Sequence, residues 1–258
     1  MGHKLGQVFI KDNNILDKII KASGVTKDDV VVEIGCGDGD LTERLAAIAK
    51  QVVVIEIDEA CIDATKLRIG DLPNVTFIHQ DVLEFGFFSL DTRFKLVANI
   101  PYYISAKIMK ALIRYREVIE HATVMVQKEF CDKLVAKPGS KLYTSLSVYF
   151  SAFFDTSFAF DVSRNSFRPV PNVDSAVFTS VPHYRYDIGE DAPLFDIVRS
   201  AFWGRRKPLR SALKKSPYLS LKTGFDSDED VADMMSCRGE VLRLDQYITL
   251  CKKIEPYF

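Results

Sequence analysis

Residues 30–41 read Val30-Val31-Val32-Glu33-Ile34-Gly35-Cys36-Gly37-Asp38-Gly39-Asp40-Leu41. The run of β-branched apolar side chains suits a strand buried on both faces. Three glycines at alternate positions then let the chain turn sharply and let a ligand approach the backbone where a helix begins. That helix is predicted from Leu41 to Lys50. A dinucleotide fingerprint needs G-x-G-x-x-G, which would put its third glycine at position 40. Asp40 stands there, and the glycine comes one residue earlier at Gly39. The spacing argues against a nicotinamide-dependent dehydrogenase and for a different nucleotide-like ligand.

Working outward, 13–22 carries Ile15, Leu16, Ile19 and Ile20 at helical spacing. Gln51–Ile57, Val75–His79, Lys95–Ala98 and Ala122–Val126 read as further apolar strands, and Cys61–Ile69, Ser105–Arg116 and Glu129–Ala136 as helices between them. Ser145–Phe160 and Ser175–Val181 read as two last strands with no long helix between them, which implies an antiparallel edge. Alternating strands and helices with doubly apolar strands indicate an α/β fold with a largely parallel sheet. The texture changes near 184–192. Leu194–Phe202, Leu209–Leu213, Asp228–Met235 and Asp245–Ile254 are short polar helices punctuated by Pro208 and Pro217. The expected division is a ligand-binding domain at 1–186 and a small helical domain at 187–258.

In 258 residues, 34 Lys+Arg face 35 Asp+Glu, a net charge of −1. Taken whole, this weighs against a nucleic-acid partner, since phosphate binding is mainly electrostatic. The charge is unevenly distributed. Arg199, Arg205, Arg206, Lys207, Arg210, Lys214, Lys215 and Lys222 form a basic stretch without Asp or Glu, and an acidic stretch follows at 226–233. A local basic patch is enough to hold phosphates. Five widely spaced cysteines form no C-x-x-C pair, so neither a disulfide framework nor a zinc ribbon is expected, and no metal site is assigned. No signal or transit segment and no membrane span is evident. A cytoplasmic protein is the expectation. Asn74-Val75-Thr76 fits a glycosylation sequon only by chance.

Gly35, Glu56, Asp81 and Asn99 fall at the carboxyl ends of four successive predicted strands. Open α/β sheets bind ligands along that edge. Glu56 lies 21 positions after Gly35, where an acidic side chain reaches ribose hydroxyls. Asn99-Ile100-Pro101-Tyr102 is the most chemically specific element. An exocyclic base amine is a poor nucleophile because its lone pair is delocalised. The Asn99 amide oxygen and the carbonyl of Ile100 or Pro101 can accept its two N–H bonds and hold the nitrogen in line with a methyl donor. Tyr102 offers a ring on which the base can stack. S-adenosylmethionine is the donor that needs no metal or strong base.

These elements together resemble the KsgA/RsmA-type ribosomal RNA adenine dimethyltransferases, which are similar to the Erm enzymes. The resemblance spans nearly the whole chain. It rests on Gly6-Gln7-Val8-Phe9-Ile10, Glu33–Leu41, Val54–Asp58, Gln80-Asp81, Asn99–Tyr102 and Gln127-Lys128-Glu129. It rests further on Phe167-Arg168-Pro169-Val170-Pro171-Asn172-Val173-Asp174-Ser175-Ala176-Val177 and Phe202–Arg210. The resemblance implies a Rossmann-like S-adenosylmethionine-dependent methyltransferase sheet with a small C-terminal helical rRNA-binding domain. It implies cofactor contacts at Val8, Ile10, Gly35, Glu56, Asp81 and Asn99, with Tyr102 and Phe167 sandwiching the target adenine. Val8 departs from the family's usual Asn, so a side-chain hydrogen bond is lost there. The implied reaction is N6,N6-dimethylation of two adjacent adenines near the 3′ end of small-subunit rRNA, within an assembling 30S-type subunit, by a monomer. Arg205, Arg206, Lys207 and Arg210 are the expected RNA contacts, with Lys4, Lys11 and Lys128 extending the track. Two other readings are an Erm-like large-subunit methyltransferase and a non-catalytic RNA-binding assembly factor.

Overall fold

In the computed structural model, described here for residues 8–188 and 193–258, the run at 30–34 is β2 (Val30–Ile34), a strand buried along nearly its whole length. It pairs in parallel with β3 (Gln51–Glu56) on one side and β5 (Phe94–Asn99) on the other. β3 carries β4 (Val75–His79) beyond it, and β5 carries β6 (Ile119–Gln127), again in parallel. β9 (Ser175–Pro182) runs antiparallel to β6, and β7 (Phe154–Val162) lies next to β9 at the edge. The order β4-β3-β2-β5-β6-β9-β7 reverses direction between β2 and β5. Ligands of open α/β sheets bind outside the carboxyl ends of the strands at such a reversal. The two loops that meet there are Gly35–Gly39 and Asn99–Tyr102.

Local chemistry sets the helices. Asp12 and Asp58 accept the backbone N–H of Asn14 and Ala60, both at 3.0 Å, and so cap α1 (Asn13–Ser23) and α3 (Glu59–Ile69). α2 (Asp40–Ala46) ends four residues before the expected Lys50. The reason comes from far along the chain: the Asn74 amide donates to the carbonyls of Ala46 at 2.8 Å and Ala49 at 3.1 Å. These bonds satisfy carbonyls that a longer helix would have used internally. α4 (Ser105–Arg114) buries Ile108, Met109, Leu112 and Ile113 along one face.

The chain divides into two compact units, and the division is not a single cut. One comprises Met1–Cys131 with Asp155–Pro182, the other Asp132–Phe154 with His183–Phe258. The expected break at 186/187 lies close to the last crossing, at 182/183, while the excursion at 132–154 departs from a single cut. Ser145–Phe160 is not one strand: α6 (Ser145–Ser151) precedes β7. A reciprocal cap decides this. The Ser147 hydroxyl accepts the Thr144 N–H at 3.0 Å, and the Thr144 side chain caps the first turn in return. Beyond α5 (Lys128–Leu134), the second unit contains α6, α7 (Leu194–Trp203), α8 (Leu209–Lys214), α9 (Glu229–Ser236) and α10 (Leu244–Ile254). Gly204 allows α7 and α8 to close up, since a Cβ there would collide with Ala212. Tyr247 is fully buried and donates to the Gly239 carbonyl at 2.9 Å.

Among the described residues no helix is long and apolar enough to cross a membrane, and no cluster of side chains suits a metal. The described cysteines are all free thiols.

Candidate active site

A cavity opens at the strand-order reversal, lined by residues of the Gly35–Leu41 loop, Glu56, Asp81 and the Asn99–Ile104 loop. Five of the six expected cofactor contacts come from successive strand ends or from Val8 beside them, and the sixth, Ile10, lines the same cavity. Ile10 and Phe9 form β1 (Phe9–Ile10), which pairs antiparallel with β8 (Phe167–Arg168). That pairing carries the chain across the glycine loop. Gly6, Gln7 and Lys4 lie outside the described residues.

All three loop glycines have left-handed backbone, with φ of +78° at Gly35, +58° at Gly37 and +86° at Gly39. Their missing side chains serve different ends. A Cβ on Gly37 would sit 3.0 Å from the Phe9 ring, and one on Gly39 would sit 2.9 Å from Thr65. A Cβ on Gly35 would enter the space between the Glu56 carboxylate and the Asn99 carbonyl, at 3.8 and 4.0 Å. Gly35 is therefore the cradle, while Gly37 and Gly39 permit packing.

Glu56 is buried and does more than the ribose role assigned from sequence. Its Oε1 accepts the N–H groups of Ile57 at 2.8 Å and Asp58 at 2.9 Å. Its Oε2 accepts the Cys36 N–H at 3.1 Å. Oε2 also meets the Cys36 thiol at 3.8 Å, a weak contact that a ribose hydroxyl can displace, whereas both Oε1 bonds are to backbone N–H groups. The same carboxylate thus fixes the glycine loop. Asp81 accepts the Leu83 N–H at 2.9 Å through Oδ1, and its other oxygen makes no hydrogen bond among the described residues.

Glu33 also lines the cavity, yet its side chain is fully buried and neither oxygen has a partner of ordinary hydrogen-bond geometry among the described residues. Burial pushes its carboxyl up to about 8; Thr42 eases this and the Glu56 charge adds to it. Burial therefore favours its neutral form. Burial likewise raises the Cys36 thiol far above its ordinary range, with Thr65 opposing and Glu56 reinforcing.

In the Asn99–Tyr102 loop the two carbonyls considered from sequence are no longer equivalent. The Pro101 carbonyl accepts the Ile104 N–H at 3.2 Å and closes a 3-10 turn. The Ile100 carbonyl accepts no hydrogen bond among the described residues and remains available. Tyr102 hydrogen-bonds the Ser175 hydroxyl at 2.8 Å, which fixes its ring. Burial raises its phenol, so it stays protonated.

Phe167 is fully buried, belongs to the core with Ile10, Met125 and Val177, and does not line the cavity. The β1–β8 pairing holds it there, set back from the cavity. The aromatic side chains that do line the cavity are Phe9, Tyr102 and Tyr103. Phe9 has no sequence signal beside Val8 and Ile10 except that Gly37 demands a close neighbour. Ser175 lies within the Asp174-Ser175-Ala176 string, but its role as the Tyr102 anchor has no sequence signal. Asp174 in that string clamps Arg164 with a fork of bonds at 2.9 and 3.2 Å, which holds its carboxyl down to about 2.

In the second unit the four expected RNA contacts separate into two pairs. Arg205 is tied to Glu240 and to the Lys141 carbonyl, and Arg210 pairs with Asp226 at 3.0 Å. Arg206 and Lys207 are exposed and make no ion pair among the described residues; the Lys207 ammonium lies 5.3 Å from the Trp203 ring centre. Lys11 is engaged by Asp38 and Asp40, and Lys128 by Asp161.

A cradle at the switch point, a loop-bound carboxylate and an open Asn–Ile–Pro–Tyr turn define the class, a Rossmann-like methyltransferase that uses S-adenosylmethionine. Solved structures agree with that class. A dimethyladenosine transferase from Plasmodium falciparum superposes with a TM-score of 0.85 at 27% identity, covering 96% of this chain and 98% of that one. The 23S rRNA methyltransferase ErmE gives 0.72 at 26% identity, covering 96% and 99%. Residues 2–250 match the profile of the ribosomal RNA adenine dimethylase family, and the chain belongs to that family. Relatives named ribosomal RNA small subunit methyltransferase A include those of Lachnoclostridium phytofermentans, 36% identical over 98% of this chain and 91% of that protein, and of Thermotoga petrophila, 38% identical over 96% and 90%.

Proposed function

We infer that this chain transfers methyl groups to N6 of two adjacent adenines near the 3′ end of small-subunit rRNA, giving N6,N6-dimethyladenosine. The observation that carries the chemistry is the Asn99–Tyr102 turn. It presents a side-chain carbonyl and the free Ile100 carbonyl beside an anchored ring. Both oxygens accept the amine hydrogens, and Tyr102 takes the face of the base. Because Asn99 is neutral, it tolerates an amine that already carries one methyl. When bound, S-adenosylmethionine supplies an electrophilic methyl whose sulfonium needs no further activation. The residues fit that cofactor: the Gly35 cradle, Glu56 Oε2, the open oxygen of Asp81 and Glu33 all border one cavity. Val8 contributes backbone and apolar contact only.

The preference for the small subunit is supported by the names of the relatives at 36–38% identity. The second unit is read as the rRNA-binding part, with Arg206 and Lys207 as its free phosphate ligands and Arg205 and Arg210 holding the fold that presents them. The reading includes a monomer acting in the cytoplasm on an assembling subunit, since flipped, unstacked adenines need a structured RNA around them. The test is methyl incorporation into unmethylated small subunits, large subunits and naked rRNA, with the modified bases mapped. Two dimethylated adjacent adenines in the small subunit are expected. Label confined to the large subunit, or none, overturns the reading.

A further inference from the structure

The cavity mouth holds a feature that the methyl-transfer chemistry does not use. Tyr103 follows Tyr102 in the same 3-10 turn, yet the two rings have opposite fates. Tyr102 is half-buried and anchored on Ser175, whereas Tyr103 is 67% exposed and still borders the cavity. It is more exposed than any other aromatic ring described here. Four residues on, in the first turn of α4, the exposed Lys107 also borders the cavity and makes no ion pair among the described residues. An exposed ring and an exposed, unpaired ammonium at the border of one cavity suit a nucleotide. The ring offers a stacking face, and the ammonium a phosphate contact.

We propose that Tyr103 and Lys107 bind the nucleotide next to the target adenine, Tyr103 stacking on its base and Lys107 contacting its phosphate. This rests on the reading of the cavity as an RNA adenine site. The target base passes inward to Tyr102 and Asn99, so a ring at the rim meets what stays outside. A stack of this kind is sequence-tolerant, because every base has a π-face. The pair therefore acts as a positioning device for the flipped residue and not as a base reader.

The experiment compares the wild type with Tyr103→Ala, Tyr103→Phe and Lys107→Ala. The readouts are kcat and KM for methyl transfer, S-adenosylmethionine affinity by calorimetry, and binding of a labelled hairpin RNA with two adjacent loop adenines. Tyr103→Ala should raise KM and weaken hairpin binding about tenfold, at the low end of one base–aromatic stack. Tyr103→Phe should match the wild type, and cofactor affinity should not move in any variant. Lys107→Ala should flatten the salt dependence of hairpin binding by about one phosphate contact. Replacing the base beside the target adenine with an abasic site should erase the difference between wild type and Tyr103→Ala. Wild-type KM and hairpin affinity in Tyr103→Ala would overturn the proposal. A wild type that methylates no rRNA would instead sink the functional reading, and hairpin binding would still judge Tyr103.

Discussion

The Glu56 carboxylate accepts the Cys36 N–H at 3.1 Å through one oxygen and the N–H groups of Ile57 and Asp58 at 2.8 and 2.9 Å through the other. One side chain at the end of β3 thereby fixes both the turn that follows it and the glycine loop that follows β2. Hydrogen bonds to a charged acceptor contribute about 1.5–3 kcal/mol each. In Glu56→Gln the amide nitrogen cannot accept, so at least one of the three is lost. We expect a lower Tm together with at least a tenfold loss of S-adenosylmethionine affinity, read by thermal melts and calorimetry. Lost affinity without any change in Tm would mean that Glu56 acts on ligand alone.

Gly39 and Gly24 separate two reasons for glycine. Both have positive φ, but a Cβ on Gly24 meets open space while one on Gly39 meets Thr65 at 2.9 Å. Gly24→Ala should cost about 1–2 kcal/mol from backbone strain alone. Gly39→Ala adds a steric collision and should cost about 1–3 kcal/mol more. Denaturant unfolding of the two variants checks the order.

Glu33 gives the fold a pH dependence of definite sign. In the folded chain its proton is held up to about 8, in the unfolded chain only to the ordinary value of 4.5. Between those values the folded state binds the extra proton, so stability falls as pH rises from about 4.5 toward 8. Glu33→Gln is neutral throughout and should remove this part of the slope. Unfolding free energies for both proteins across pH 5 to 8 would show it, and an unchanged slope would assign the carboxyl a partner.

Phe167 and Tyr102 should fail in different ways. Phe167 is a core residue, so Phe167→Ala should lose about 3–5 kcal/mol of stability. Tyr102→Ala lies at the cavity and should keep most of the stability while methyl transfer drops by two orders of magnitude or more. A stable Phe167→Ala protein with only KM raised would restore the aromatic sandwich expected from sequence.

Much of this was legible in the chain because it depended on nearest neighbours in sequence. Val30–Ile34 is apolar apart from Glu33, and the glycines after it can adopt positive φ at little steric cost, so strand and turn follow from local rules. Glu56, Asp81 and Asn99 were found by counting from strand ends. What escaped depended on partners far along the chain. Asn74 stops α2 from 28 residues away, Ser175 anchors Tyr102 from 73, and the β1–β8 pair seals Phe167. Ser145–Ser151 was misread because its aromatic and β-branched residues favour a strand, while the Thr144–Ser147 cap decided for a helix. Arg205 and Arg210 looked free in a basic run, and only the fold revealed Glu240 and Asp226 beside them.

The central claim is that Asn99 and the Ile100 carbonyl hold the amine for transfer. The most direct measurement is single-turnover methyl transfer to unmethylated small subunits by Asn99→Ala, with RNA and cofactor binding measured on the same protein. We predict that the rate falls at least 100-fold, a loss typical of removing one positioning or charge-stabilising group, while RNA binding stays within about twofold, there being no phosphate contact to lose. Methyl transfer at the wild-type rate, with adjacent adenines still dimethylated, would contradict the account.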